Sequence, residues 1–166
     1  YILCFRYLQG SVTHYLKKTR QRLIGLDDDV FDSFSTQLTN AKSFAHIFNA
    51  FTFFTDHFNS VKWVGYFNFL SKNEIYSSYK FQMDDINEYH YFFDLITKPV
   101  SIVQYNDQCE VRLKLIRDDQ YFGWVVIRFP YYWDLWLKLK QSNFYKIVYD
   151  TINSITLVQS YNQVNM

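Results

Sequence analysis

The stretch VSIVQYNDQCEVRLKLIRDDQYFGWVVIRF, Val100 to Phe129, decides the fold. Its three runs VSIVQY, EVRLKLI and YFGWVVIRF are rich in β-branched and aromatic residues, and only four residues separate each from the next, NDQ with Cys109 and DDQ with Arg117. Polar gaps this short join neighbouring antiparallel strands. A parallel pair would need a crossover of about a dozen residues or more. In the middle run Val111, Leu113 and Leu115 point one way, and Arg112 and Lys114 the other.

Upstream, VKWVGYFNFL and EIYSSYKFQM flank SKN and read as a second hairpin. Between the hairpins, DDINEYHYFFDLIT begins with acids and stops ahead of Lys98 and Pro99, as a helix does. Earlier still, Phe44, Ile47, Phe48, Phe51 and Phe54 recur at helical spacing, which predicts a helix over about 40–58 with its phenylalanine face on the sheet. LDDDVFDSFSTQL reads as an acidic turn entering a short helix. SVTHYLKKTRQRL reads as a helix capped by Ser11 and ended at Gly25.

Downstream, Pro130 divides the aromatic run GWVVIRFPYYWDLWLKLK. With Pro130 in a first turn, residues 130–140 form a helix whose apolar face is Tyr132, Leu135, Trp136 and Leu139, with Asp134 and Lys138 paired on the other side. The alternative is a strand in which DLWLKLK alternates and Trp136 faces solvent. NFYKIVYDTI fits a helix through Phe144, Ile147, Val148 and Thr151, and SITLVQSY fits a last strand. The order of elements predicts an α+β fold: N-terminal helices packed on a mainly antiparallel sheet built from hairpins, with one or two further helices. The 166 residues suit a single domain, helical over about 11–58 and sheet-containing over about 61–166.

Seventeen Phe and fifteen Tyr, with only four Gly and two Pro, leave more large rings than one small core needs. Some must reach the surface, where a contiguous patch marks a partner site. AT-rich coding, as in viral, phage or organellar genomes, yields the same bias without functional demand. The net charge of +1 excludes a globally basic nucleic-acid binder, although the chain from Tyr121 on is mildly basic. Cys4 and Cys109 form no Cys-x-x-Cys, so zinc frameworks and disulfide scaffolds are excluded, leaving at most one bridge. A reducing, intracellular compartment is expected, an organelle included. Residues 1–10 are apolar but too short to span a bilayer, and Arg6 interrupts them. No transmembrane segment is expected.

Candidate chemistries are sparse. His46 and His57 would lie three helical turns apart, roughly 16 Å, and cannot share a metal. His90 and Asp94, at i and i+4, supply two ligands where zinc needs at least three protein groups. Asp27, Asp28 and Asp29 read as a solvated, helix-capping run. Asp94, Glu110 and Arg112 approximate the acid and acid-x-Lys arrangement with which PD-(D/E)xK nucleases hold Mg²⁺. Arg stands where Lys is needed, however, and it stays protonated. No P-loop, Gly-x-Gly-x-x-Gly or Gly-x-Ser-x-Gly occurs. No catalytic residue, metal or cofactor is assigned.

The expected function is therefore that of a non-enzymatic interaction module, an accessory, inhibitor or assembly subunit working through aromatic residues on another protein or a larger assembly. The partner-binding candidates are Tyr121, Trp124, Arg128, Tyr131 and Lys138. The same residues serve the first alternative, a single-stranded nucleic-acid binder, with rings stacking on bases and cations meeting phosphates. A metal-dependent nuclease is the second alternative.

Overall fold

The computed structural model describes residues 29–58, 61, 63–68, 74–77 and 83–164. The helix expected over Ser11–Leu23, its Gly25 stop and Cys4 lie outside them. The chain divides into two compact units, Tyr1–Ser33 and Phe34–Met166. The elements that matter here belong to the second.

Residues 29–39 form α1, and Phe44–Asp56 form α2. Ser43 sets the start of α2: its backbone is extended, and its hydroxyl accepts the His46 amide at 3.1 Å. Such a cap contributes about 1 kcal/mol. Ile47, Phe51 and Phe54 of α2 are buried as the spacing predicts, with Ala50 beside them, while Phe44 and Phe48 of the expected face are half-buried. Phe34 of α1 meets Phe51 and Phe54 edge-on at 4.9 and 5.0 Å.

Five strands follow: β1 (Trp63–Asn68), β2 (Glu74–Ser77), β3 (Val100–Tyr105), β4 (Gln108–Arg117) and β5 (Gln120–Pro130). They form one sheet in the order β2-β1-β5-β4-β3, with every neighbouring pair antiparallel. The fold is α+β, and both expected hairpins are present. Asp118 and Asp119 make the two-residue β4–β5 turn with φ of 53° and 63°. Positive φ at both central residues gives the turn the twist of the strands it joins, and Asp tolerates it.

A bulge interrupts the β4–β5 ladder. Leu115 pairs with Gly123 and Ile116 with Tyr121, so Phe122 is the extra residue. Gly123 takes φ 145°, a value that glycine adopts without steric cost. The extra residue changes the alternation, so Tyr121 shares a face with Trp124, Val126 and Arg128.

Helices cover both faces. Cys109, Val111, Leu113 and Leu115 of β4, with Val125, Ile127 and Phe129 of β5, are buried beneath α4 (Asp134–Leu139) and α5 (Gln141–Val164). Tyr89 and Phe93 of α3 (Met83–Leu95) pack on Trp124 and Val126 of the other face. Hydrogen bonds tie α1 to α5: Ser35 donates to Asp150 at 2.7 Å, and Ser154 to the Leu38 carbonyl at 2.8 Å.

The C-terminal region corrects the expectation. SITLVQSY is not a strand; α5 runs unbroken through it. Phe144, Ile147, Val148, Thr151, Ile152, Ile155 and Val158 are all buried, so a single helical stripe continues past residue 151. Neither Gly nor Pro interrupts it, and tertiary burial outweighs the strand preference of Ile, Thr and Val.

Candidate interaction surface

Two groups of side chains stand out, one on each face of the sheet. The first follows Pro130, which ends β5 in an extended conformation at φ −57°, ψ 150°. Tyr131–Trp133 then make a 3₁₀ turn, and α4 follows directly. Residues 131–139 are therefore helical, not a strand, and Pro130 precedes the first turn instead of lying in it.

The inward face of this segment differs from the expected one. Leu137 is buried, and Trp133 and Trp136 are half-buried. The two indoles meet edge-on at 5.1 Å, and both lie 5.6 Å from Phe58 and 6.2 Å from Phe129. A six-residue helix has room for one inward row, and positions 133, 136 and 137 place the largest rings in it. Tyr132, Leu135 and Leu139, expected inside beside Trp136, are turned out instead. Exposure is 53% at Tyr131, 75% at Tyr132, 71% at Leu135 and 59% at Leu139.

This exposed row is held in place from below. The Cys109 thiol, buried on β4, donates to Asp134 at 3.5 Å and approaches the Tyr131 carbonyl at 3.8 Å. Burial, and next the hydrogen bond to Asp134, push this thiol up to about 11. Cys109 is free, so no bridge joins it to Cys4. Asp134 pairs with Lys138 at 2.9 Å, and the hydrogen bond lowers the acid and raises the lysine.

The second group lies beneath α3. Glu110, fully buried, faces Arg128 across the β4–β5 ladder. Its carboxylate accepts from Arg112 Nε at 3.2 Å and Nη2 at 2.7 Å, from Arg128 Nε at 3.2 Å, and from the Tyr89 hydroxyl at 2.5 Å. Arg128 Nη2 also donates to the Tyr89 oxygen at 3.1 Å. The Arg112 guanidinium lies 4.4 Å from the Phe92 ring centre and 5.0 Å from that of Tyr89. Burial, reinforced by the Glu110 charge, drives the Tyr89 hydroxyl well above the ordinary tyrosine value. Burial opposes the charge on Arg128, but Tyr89 and Glu110 overcome it and raise its pKa. These charge-assisted hydrogen bonds brace β4, β5 and α3 against one another.

The candidates read from the sequence divide between these groups. Tyr131 and Lys138 lie on the exposed segment. Tyr121, Trp124 and Arg128 lie on the opposite face, around α3. Trp124 is fully buried, a correction to its expected surface position: α3 closes over it, and Phe93 stacks on it at 5.5 Å with planes 11° apart. Its indole N–H points at His90 Nδ1, 3.4 Å away. Tyr121 is half-buried, with Lys114 Nζ 5.3 Å from its ring centre. Burial, and secondarily the charge of Asp94, raise its hydroxyl.

The sequence reading did not assign Tyr132, Leu135 and Leu139 to the surface, nor Tyr89 to a polar network. The Glu110 and Arg112 pattern was visible, but alternation alone does not tell a solvated face from one covered by a helix. Among the described residues no three His, Cys, Asp or Glu side chains converge as a metal site would require. No helix among them is long and apolar enough to cross a membrane. No protein-family model and no curated protein matches the chain.

Proposed function

We propose that the protein is a non-enzymatic interaction module that binds another protein through the aromatic and aliphatic row of residues 131–139. The observation that supports this reading is the outward set Tyr131, Tyr132, Leu135 and Leu139, four large side chains more than half exposed within nine residues. Monomeric proteins seldom leave such a cluster open to water. Interface centres are enriched in aromatic residues, and a preorganised surface binds at lower entropic cost. Trp133, Trp136 and Leu137 anchor the row, and Lys138 gives it a charged rim. Tyr131 and Lys138 carry over as partner-binding residues. A nucleic-acid surface built on Trp124 would need the ring that α3 encloses, and Arg128 is engaged by Glu110.

The test is the double variant Tyr132→Ala, Leu135→Ala, expressed in the native cell and compared with wild type for melting and for quantitative recovery of associated proteins. Exposed substitutions of this kind change stability by only about 0.5 kcal/mol. Hot-spot truncation costs about 2 kcal/mol or more of binding, a loss of about thirtyfold. Recovery of every partner at wild-type level would overturn the reading.

A further inference from the structure

We propose that the outer face of α3 is a second docking site, which takes a basic amphipathic helix of a partner protein. This rests on the interaction-module reading only in that the ligand is a protein; the residues are different.

One side of α3 lies on the sheet. Tyr89 and Phe93 are buried against Trp124, and the Tyr89 hydroxyl donates to Glu110. Tyr91 lies on the opposite side and is 69% exposed. Asn87, Glu88, Asp94 and Leu95 stand three or four positions from it, so they surround it on one helix face. All four are exposed, Leu95 at 66%. Tyr91 and Leu95 therefore form an apolar spot one turn long on a helix fixed from beneath, and such a surface is preorganised for binding.

The charge around this spot has one sign. α3 contains Asp84, Asp85, Glu88 and Asp94 and no Lys or Arg. Asp84 and Asp85 suit the start of a helix, but Asp94 lies in the last turn, at the negative end of the dipole, where an acid is unfavourable. The ammonium of Lys114 goes to the Ile96 carbonyl, at 2.6 Å, and not to Asp94. Glu88 and Asp94 make no ion pair among the described residues. A face of this sign repels the phosphates of nucleic acids and anionic lipids, and it complements a basic protein surface. The arrangement also fits a helix. Tyr91 is a knob for the hole between four side chains of a second helix. Glu88 and Asp94, one turn before and one turn after it, are placed to meet Lys or Arg along the edges of that helix.

The probe is a fluorescent peptide of about 18 residues, built of Leu and Lys so that a helix carries Leu on one face and Lys beside it. It is titrated onto the full chain. Two counterparts accompany it: one with Glu for Lys, and one with the same residues in an order that gives no apolar face. The Lys peptide binds saturably, and each counterpart binds at least about tenfold more weakly. Tyr91→Ala with Leu95→Ala melts like wild type and loses at least about tenfold in affinity for the Lys peptide. Glu88→Lys with Asp94→Lys reverses the preference, so that the Glu peptide binds more tightly. Glu88→Gln with Asp94→Asn serves if the reversed variant melts early, and it abolishes the preference for Lys over Glu. Failure of the Lys peptide to bind overturns the proposal, as does wild-type binding by folded Tyr91→Ala, Leu95→Ala. Equal binding of the reordered peptide overturns the helical occupant, and an unchanged preference in the charge variants overturns its basic character. The Tyr132→Ala, Leu135→Ala variant keeps binding of the Lys peptide, so failure of the α3 face and failure of the aromatic row read out separately.

Discussion

Replacing Glu110 by Gln keeps its shape and removes its charge. Glu110 is fully buried and accepts from both arginines and from Tyr89, while the Arg112 side chain is only 5% exposed. The glutamine would turn an amide N–H₂ toward at least one of these donors. Arg112 would then stay inside without this counter-ion. Breaking a buried pair from one side costs about 3–5 kcal/mol, against a total stability of about 5–15 kcal/mol for a protein of ordinary size. Urea unfolding followed by tryptophan fluorescence should show a lowered midpoint with an unchanged slope. At about 2–4 °C per kcal/mol, melting should fall by about 6–20 °C. Glu110→Met combined with Arg112→Met should recover most of the loss, because a buried ion pair and an apolar replacement of similar volume are nearly equivalent. A cost below about 1 kcal/mol for Glu110→Gln would refute the dry network beneath α3, as would a double variant no more stable than the single one.

Phe51→Ala should destabilise by about 3–5 kcal/mol in the same urea assay, since Phe51 is fully buried against Phe34. The raised Tyr89 hydroxyl makes stability fall with alkali: its contribution is whole below the ordinary value of 10.0 and is lost above it, where the unfolded chain ionises and the native one does not. Urea midpoints measured across that range should fall less steeply in Tyr89→Phe than in wild type. In a Cys4→Ser background, Cys109 should resist a disulfide reagent near neutral pH while folded and react fully in urea, because its thiol is buried and titrates at about 11.

Much of the sheet was legible because period-2 alternation and two-residue turns are local signals. Val111, Leu113 and Leu115 lie on the face opposite Arg112 and Lys114, as their spacing requires. Local signals do not say what covers a face. The same alternation describes a solvated row of charges and the buried one that Tyr89 and Phe93 close over. The bulge at Phe122 was hidden too: it moves Tyr121 to the Trp124 side, and only the register with β4 reveals it. SITLVQSY misled because β-branched residues dominate a window shorter than the helical stripe that begins at Phe144. In residues 131–139 every ring was visible, but two inward rows were possible. Phe58, distant in sequence, together with Phe129 at the end of β5, decided for Trp133 and Trp136 and turned Leu135 and Leu139 out.

A photo-crosslinking amino acid placed at Leu135 in the native cell tests the interaction reading most directly. The same probe at Asp118, on the exposed β4–β5 turn, is the control. A discrete adduct with a specific protein from position 135, absent from position 118 and lost when Tyr132→Ala is added, is the predicted result. Equal, diffuse labelling from both positions, or no protein adduct at 135, would contradict it.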